Sequence, residues 1–437
     1  MADKSPLTIF WFRRDLRLDD NAGLYRALKS DNPVLPVFIF DKEILDKLED
    51  RGDARVTFIY QTIEAINKEL HQYGSSLLVL YDKAEYAWDH ILKTYNVASV
   101  YTNLDYEPYA KQRDDAIAQK LKEYNIAFKT FKDQVIFDRD EVIKDDGSPY
   151  TVYTPYQRKW HAKLKPFYLK PYPTKKYFSK LVRIDALPTP SLKEMGFEKS
   201  DLPIPGQQYE NVIKDYAQKR DFPGINGTSH IGLHLRFGTV SIRQLAATAN
   251  SYPEKTWLNE LVWREFYMMI LHHFPQTMDH AFRPEYDRIK WVNDEAQFEA
   301  WCGGQTGFPL VDAGMRELNA TGYMHNRVRM VVASFLAKDL LIDWRWGERY
   351  FARKLLDYEM ASNVGGWQWS AGCGTDAAPY FRIFNPDSQL KKFDPEFKYI
   401  KKWVPEYADF SKYPKPIIDH AFARERCLKV FKEALAR

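Results

Sequence analysis

The stretch Asn363-Val364-Gly365-Gly366-Trp367-Gln368-Trp369 sets an amide four residues before one indole and six before another. Two glycines between them let the backbone come close to whatever lies there. Gly374-Thr375-Asp376-Ala377-Ala378-Pro379-Tyr380-Phe381-Arg382-Ile383-Phe384-Asn385-Pro386 follows at once, with an arginine among aromatics. This composition is poor for a plain core. It suits a planar, redox-active ligand beside a cationic surface.

Two further segments carry chemistry. In Trp257-Leu258-Asn259-Glu260-Leu261-Val262-Trp263-Arg264-Glu265-Phe266-Tyr267, helical spacing puts Trp257, Glu260, Arg264 and Tyr267 on one face, with Trp263 beside it. Two readings compete: an amphipathic helix with a Glu260–Arg264 ion pair, or a carboxylate set between two indoles. The second would suit a flipped pyrimidine pair, the rings giving apolar contact and Glu260 hydrogen bonds. In Thr321-Gly322-Tyr323-Met324-His325-Asn326-Arg327-Val328-Arg329-Met330, Asn326 and Met330 share a helix face. Met330 alone reads as core. Asn326 does not, because a buried amide needs partners.

Phosphate groups would find donors at Tyr216, Arg220 and Gly227-Thr228-Ser229-His230-Ile231-Gly232. There a glycine and two hydroxyls precede a helix and offer backbone N–H groups at its positive end. An ordinary Thr/Ser N-cap is the competing reading.

These side chains need a large scaffold, and 437 residues allow two or three domains. Net charge is only +4, so nucleic-acid binding requires a local basic face. Lys391, Lys392, Lys398, Lys401 and Lys402, with Arg220, Arg327 and Arg382, are the candidates; Lys401-Lys402 also reads as a solvated face. Cys302, Cys373 and Cys427 fit a reduced compartment and cannot supply four ligands to an iron–sulfur cluster. No run reaches membrane-spanning length, and Met1-Ala2-Asp3-Lys4-Ser5 lacks a signal-peptide pattern, so a cytoplasmic location is expected.

In the first third, Leu7 to Phe12, Val34 to Phe40, Ser76 to Tyr81, Ser99 to Asn103 and Phe128 to Phe131 read as buried strands. Helical patterns such as Arg55 to Tyr73 and Ala84 to Tyr95 lie between them. The alternation predicts an α/β domain over 1–132, a doubly wound parallel sheet of Rossmann-like type. Phe12-Arg13-Arg14-Asp15-Leu16-Arg17 stands where a dinucleotide fold carries spaced glycines, which argues against a nicotinamide or FAD site there. Over 133–205 periodicity fades and prolines rise, which predicts a surface connector. From 206 to 437 an all-α domain is expected, with a short, mixed end after Pro386.

Taken together, these motifs resemble the flavin pocket of the photolyase and cryptochrome family. The resemblance covers nearly the whole chain and is densest from Tyr216 to Asn385. It is closest to the class I DNA photolyases that split cyclobutane pyrimidine dimers. It implies an antenna-type domain at 1–132 and a FAD-binding, catalytic domain at 206–437. FAD would then be held by Tyr216, Thr228, Ser229, His230, Ile231, Gly232, Trp257, Glu260, Arg264, Asn326, Arg329, Asp357, Glu359 and Asn363. Asn363 falls at flavin N5, where a neutral amide favours the reduced anion. Asp357 and Arg329 match a salt bridge beside the ring; Asp357 as a simple surface acid is the other reading. Glu359 lies toward the ribose or adenine.

The lesion and its phosphates would be met by Arg220, Glu260, Trp263, Asn326, Arg327, Met330, Trp369 and Arg382. Glu260, Asn326, Met330 and Asn363 are the implied catalytic set. Photolyases for the (6-4) product carry histidines where Asn326 and Met330 stand, which favours cyclobutane dimers here. Tyr323, His230 and Gly232 depart from the Trp, Arg and Ser often found at their positions. Trp367, Trp344 and Trp291 match an electron relay, although core packing would explain any one alone. Arg13, Arg55, Asp105, Glu107 and Arg236 are similar to relatives that bind a deazaflavin or FMN antenna; Asp105 and Glu107 could equally cap the next helix. Ala110 and Met278 replace the Glu and Lys of a folate pocket, so folate is disfavoured.

The implied activity is light-driven repair of cyclobutane dimers in ultraviolet-damaged DNA. Photoexcited reduced FAD passes an electron to a flipped-out dimer and recovers it, so the enzyme is a carbon–carbon lyase. A monomer with no membrane attachment and no obligate protein partner is expected. The alternatives are a cryptochrome-type blue-light receptor, a (6-4) photolyase and, more distantly, an ordinary FAD oxidoreductase.

Overall fold

The computed structural model describes residues 5–409 and 411–436. Met1–Lys4, part of the segment read for a signal peptide, lies outside them. Five strands, β1 (Leu7–Phe12), β2 (Val34–Asp41), β3 (Leu78–Asp82), β4 (Val97–Asn103) and β5 (Ala127–Phe131), form one parallel sheet in the order β3-β2-β1-β4-β5. Ile9 of β1 pairs with Leu35 on one side and Val100 on the other. β1 and β2 are almost wholly buried, as continuous apolar runs in a covered parallel sheet should be. β5 differs from expectation: it is an edge strand, and its residues are half-buried or exposed.

The helices α1 (Ala22–Leu28), α2 (Ala54–His71), α3 (Ala84–Thr94) and α4 (Pro108–Glu123) connect these strands. Strand order reverses at β1, so right-handed crossovers send helices to opposite faces. Ile9, Trp11, Val37 and Val100 pack with Trp88 and Ile91 of α3 and Leu121 of α4. The missing glycine fingerprint has a structural counterpart at the start of α1. Its N–H donors are already occupied: Ala22 donates to Asp133 at 3.0 Å, Gly23 to Asn103 at 2.9 Å and Leu24 to Asn21 at 3.0 Å. An anion that elsewhere binds a helix N-terminus meets protein side chains here.

The chain forms two compact units that interleave in sequence. The first takes residues through Asp138, Leu164–Gln207 and Ile231–Thr248; the second takes Arg139–Lys163, Gln208–His230 and the residues from Ala249 on. Breaks at 132 and 205, placed by fading periodicity, do not follow this interleaving. Buried charge explains the return of 231–248 to the first unit. Arg243 donates to Asp20 at 2.9 Å and to Asp133 at 2.8 Å, and Arg17 reaches Asp133 at 2.6 Å.

The second unit is helical. Its main elements are α5 (Tyr153–Lys163), α6 (Thr256–His273), α7 (Pro309–Thr321), α8 (Asn326–Ser334), α9 (Trp344–Lys354), α10 (Met360–Ala371), α11 (Pro386–Phe393), α12 (Lys398–Trp403) and α13 (His420–Leu435). Two were not anticipated. α5 lies within the expected connector, and its buried Tyr153, Tyr156 and Trp160 form a helical stripe of aromatics. α13 is long where a mixed end was expected; Ala423, Cys427, Phe431 and Ala434 give it a buried face. The core gathers Trp301, Val328, Val332, Leu336, Phe351 and Trp367. Among the described residues no helix is long and apolar enough to cross a membrane.

Candidate functional site

Three helices of the second unit each present residues at i, i+3, i+4 and i+7 to one cavity. α6 supplies Glu260, Trp263, Arg264 and Tyr267; α8 supplies Asn326, Arg329, Met330 and Ala333; α10 supplies Asn363, Gly366, Trp367 and Ser370. That spacing is one helix face. Phe351, Leu355, Asp357, Tyr358, Glu359, Ser362, Trp369 and Arg220 complete the wall of a space of about 380 Å³, in the range of small-molecule sites. The adjacent glycines of α10 serve different ends. A Cβ on Gly365 would overlap the ring of Tyr267, whereas one on Gly366 meets nothing within 4 Å and would occupy cavity space. Gly347 of α9 likewise leaves room for the Trp367 ring.

Charges in the wall are paired between segments distant in sequence. Arg329 contacts Asp357 at 2.9 Å and Arg264 contacts Glu359 at 3.1 Å. Glu260 pairs with Arg220; a Glu260–Arg264 pair along α6 was the competing expectation, and a distant arginine supplies the charge. Burial pushes the Glu260 carboxyl up, Arg220 pulls it down by charge and hydrogen bond, and Asp221 adds to the rise; the net shift is upward. The two side chains keep 28% and 32% exposure, so solvent screens the pair and its contribution is one of geometry. Asn363 donates its amide hydrogens to the backbone carbonyl and Oε1 of Glu348 at 3.1 and 3.0 Å, which leaves the amide oxygen to accept. Glu348 carried no signal in the sequence, because its role depends on how α9 and α10 pack.

The wall thus combines the aromatic rings of Trp263, Tyr267, Phe351, Trp367 and Trp369 with two ion pairs, Arg329–Asp357 and Arg264–Glu359. Comparison with known proteins explains that combination. The family profile "DNA photolyase" matches residues 8–176, and "FAD binding domain of DNA photolyase" matches 257–412. A deoxyribodipyrimidine photo-lyase of Synechococcus sp. is 37% identical, over 98% of this chain and 97% of that protein. The chain belongs to the photolyase/cryptochrome family. A bacterial class III photolyase from Agrobacterium tumefaciens superposes with a TM-score of 0.83 at 32% identity, covering 100% of this chain and 99% of that one. An archaeal photolyase from Sulfolobus tokodaii, solved with two FAD molecules, gives 0.84 at 34% identity, covering 98% and 100%.

Several residues expected at the photolyase pocket stand away from the cavity wall. Trp257 is 4% exposed and stacks on Tyr209, with centroids 5.6 Å apart. Tyr216 lies under the guanidinium of Arg220 at 5.4 Å. Thr228 shares a hydrogen bond with Tyr323 at 3.1 Å, and the ring of His230 lies 4.0 Å from that of Tyr323. His230 has a left-handed φ of 51°, which turns the chain after Ser229. Ile231 and Gly232 fall in the first unit. Arg327 is held by Asp221 at 2.7 Å and sits 4.4 Å over Phe393 of α11, and Arg382 is exposed beyond α10. Lys391 and Lys392 on α11 and Lys398, Lys401 and Lys402 on α12 are exposed.

The three indoles expected to form a relay differ in exposure. Trp367 lines the cavity and is 2% exposed, Trp344 at the start of α9 is 1% exposed, and Trp291 is half-buried at the edge of the same core. Trp301, not singled out from the sequence, makes an edge contact with Trp367 at 6.0 Å. In the first unit, Arg13 and Asp105 lie just past the C-terminal ends of β1 and β4, where strand order reverses. Arg14 contacts Asp105 at 3.1 Å and Glu107 at 3.0 Å, and Glu107 also binds Arg236. Burial alone would raise the Asp105 carboxyl, but Arg14, Arg13, Arg236 and Arg113 hold it well below the usual carboxylate range. Arg13 pairs with Asp114, and Arg55 pairs with Asp53 at the start of α2.

Proposed function

We propose that this protein repairs cyclobutane pyrimidine dimers in DNA by a light-driven, redox-neutral carbon–carbon lyase reaction that uses FAD. The carrying observation is the shared cavity wall, which Glu260, Trp263, Asn326 and Met330 line together with Asn363 and Trp367. The donor set fits a flavin. Asn363 offers a neutral acceptor, the Arg329–Asp357 and Arg264–Glu359 pairs supply charge without a net acid, and Gly366 leaves the backbone open to a flat ring. Asn363, Arg329, Asp357, Arg264 and Glu359 would hold the cofactor. Tyr216 and the Thr228–His230 turn extend that reading to its phosphates.

When bound and reduced, FAD supplies one light-excited electron to the dimer and takes it back. This chain's residues do the rest. Trp263 and Trp369 give apolar faces to the two bases, and Met330 fills the space beside them. Glu260 can accept from base N–H groups or, when protonated, donate to a base carbonyl and so stabilise charge arriving there. Asn326 hydrogen-bonds a base edge without carrying charge. Neutral Asn326 and Met330 favour this lesion over the (6-4) product. Arg220, Arg327, Arg382 and the exposed lysines of α11 and α12 anchor phosphates, a term that weakens with salt. Trp367, Trp344 and Trp291 serve as the route by which an oxidised cofactor is re-reduced.

The reading extends to a monomer in the cytoplasm that needs no protein partner. A deazaflavin-type or flavin antenna in the first unit is supported by the arginine-rich switch point between β1 and β4. The test is Glu260→Ala: it should lower repair per absorbed photon while FAD stays bound. Unchanged repair per photon would remove Glu260 from the mechanism.

A further inference from the structure

Only one face of the Trp263 indole is open to the cavity, because Tyr153 covers the other. The two rings stack with centroids 3.5 Å apart and planes 7° from parallel. Tyr153 is the first residue of α5, and it is fixed at three points. Its hydroxyl donates to the Asn259 carbonyl at 2.9 Å, one turn before Trp263 on α6. Its ring meets Phe266 at 5.7 Å, edge to face. Its backbone N–H, a donor with no partner inside α5, is taken by Asp376 Oδ2 at 3.1 Å.

Asp376 lies in the segment after α10, seven residues beyond Trp369, and is held at φ 46°. That left-handed conformation is costly for a residue with a side chain and persists only where surrounding contacts fix it. Thr375 adds a second tie, donating to the Thr151 carbonyl at 2.6 Å. One aromatic thus joins α6, which carries Trp263, to the segment that follows Trp369. Both indoles line the cavity.

We propose that Tyr153 is a positioning residue that sets the plane of Trp263 and, through Asp376, the gap between the two indole walls, so that the slot fits two joined bases. The inference rests on the lesion-pocket reading above and adds a specificity determinant from a helix that the cavity wall does not include.

The test uses flavin-loaded protein and two oligonucleotides, one with a single cyclobutane dimer and one undamaged, titrated in the dark. Tyr153→Leu should weaken dimer binding about three- to tenfold, the scale of a lost aromatic pair. Affinity for the undamaged strand, bound flavin and repair per photon at saturating dimer should stay unchanged. Tyr153→Phe keeps the ring and should restore most of the dimer preference. A purely structural role would instead lower bound flavin and both affinities together. Asp376→Ala keeps both rings and loosens the end of α5; it should lower dimer preference in the same direction. An unchanged ratio of dimer to undamaged affinity in Tyr153→Leu, or in Asp376→Ala if the first variant does not fold, overturns the proposal. No dimer preference in the unaltered protein would overturn the repair reading along with it.

Discussion

Gly365 and Gly366 stand side by side on α10, and the same added methyl group should act on them with opposite signs. Alanine is favoured over glycine inside a helix by about 0.8–1 kcal/mol. Nothing lies within 4 Å of a Cβ on Gly366, so flavin-free protein should gain about that much from Gly366→Ala. A Cβ on Gly365 runs into the Tyr267 ring. Overpacking of that kind costs about 1–3 kcal/mol, so Gly365→Ala should lose roughly 0–2 kcal/mol net. The two variants should therefore differ by about 1–3 kcal/mol, or a few degrees in Tm at roughly 2–4 °C per kcal/mol for a unit of this size. Cofactor retention should reverse the order, because only the Gly366 methyl enters the cavity. Thermal unfolding of flavin-free protein followed by circular dichroism, and the flavin-to-protein absorbance ratio after purification, give the two readouts. If Gly366→Ala destabilised the flavin-free chain, or kept a full complement of FAD, the assignment of the Gly366 face to the cofactor would be wrong.

Two other consequences concern the framework and the relay. Arg243→Ala removes the ion-pair partner of buried Asp20 and one of the two of buried Asp133, and should cost about 3–5 kcal/mol in urea unfolding. Burial works to raise the Asp133 carboxyl, but Arg17 and Arg243 hold it below its ordinary 3.8. Its contribution is therefore complete above pH 3.8 and lost as pH falls through the lowered value. In Arg243→Ala the acid loss should begin at higher pH; an unshifted acid limb would contradict the network. Trp344→Phe should slow light-driven reduction of oxidised cofactor and leave dimer repair by chemically reduced enzyme intact. Equal photoreduction in the two proteins would move the relay to other residues, with Trp301 the next to test.

Much of the sheet and two of the three cavity faces could be read from the sequence, for one physical reason. A strand buried on both faces is a continuous apolar run, and a helix face is a fixed spacing, so Leu7–Phe12 and the Glu260 and Asn326 stripes are local patterns; the Asn363 segment showed its composition but not its helical register. β5 misled because an edge strand needs only half its apolar character to pair. α5 was hidden among prolines, although Tyr153, Tyr156 and Trp160 carried its period, and α13 was hidden by short polar insertions among its buried residues. Partner choice was not local at all. Arg220 reaches Glu260 from forty residues away, and Glu348 holds Asn363 only because α9 packs on α10. Trp257 shares helical register with Glu260 and Arg264, yet the ring of Tyr209 draws it into the core.

The central claim is that this cavity takes a cyclobutane dimer beside FAD. The most direct measurement is chromatographic counting of cyclobutane dimers and (6-4) products in one ultraviolet-irradiated oligonucleotide, incubated with the reduced flavoprotein under blue light and in darkness. Cyclobutane dimers should disappear in the light alone, and (6-4) products should persist. Dimers that survive illumination, or (6-4) products that vanish in their place, would contradict that claim.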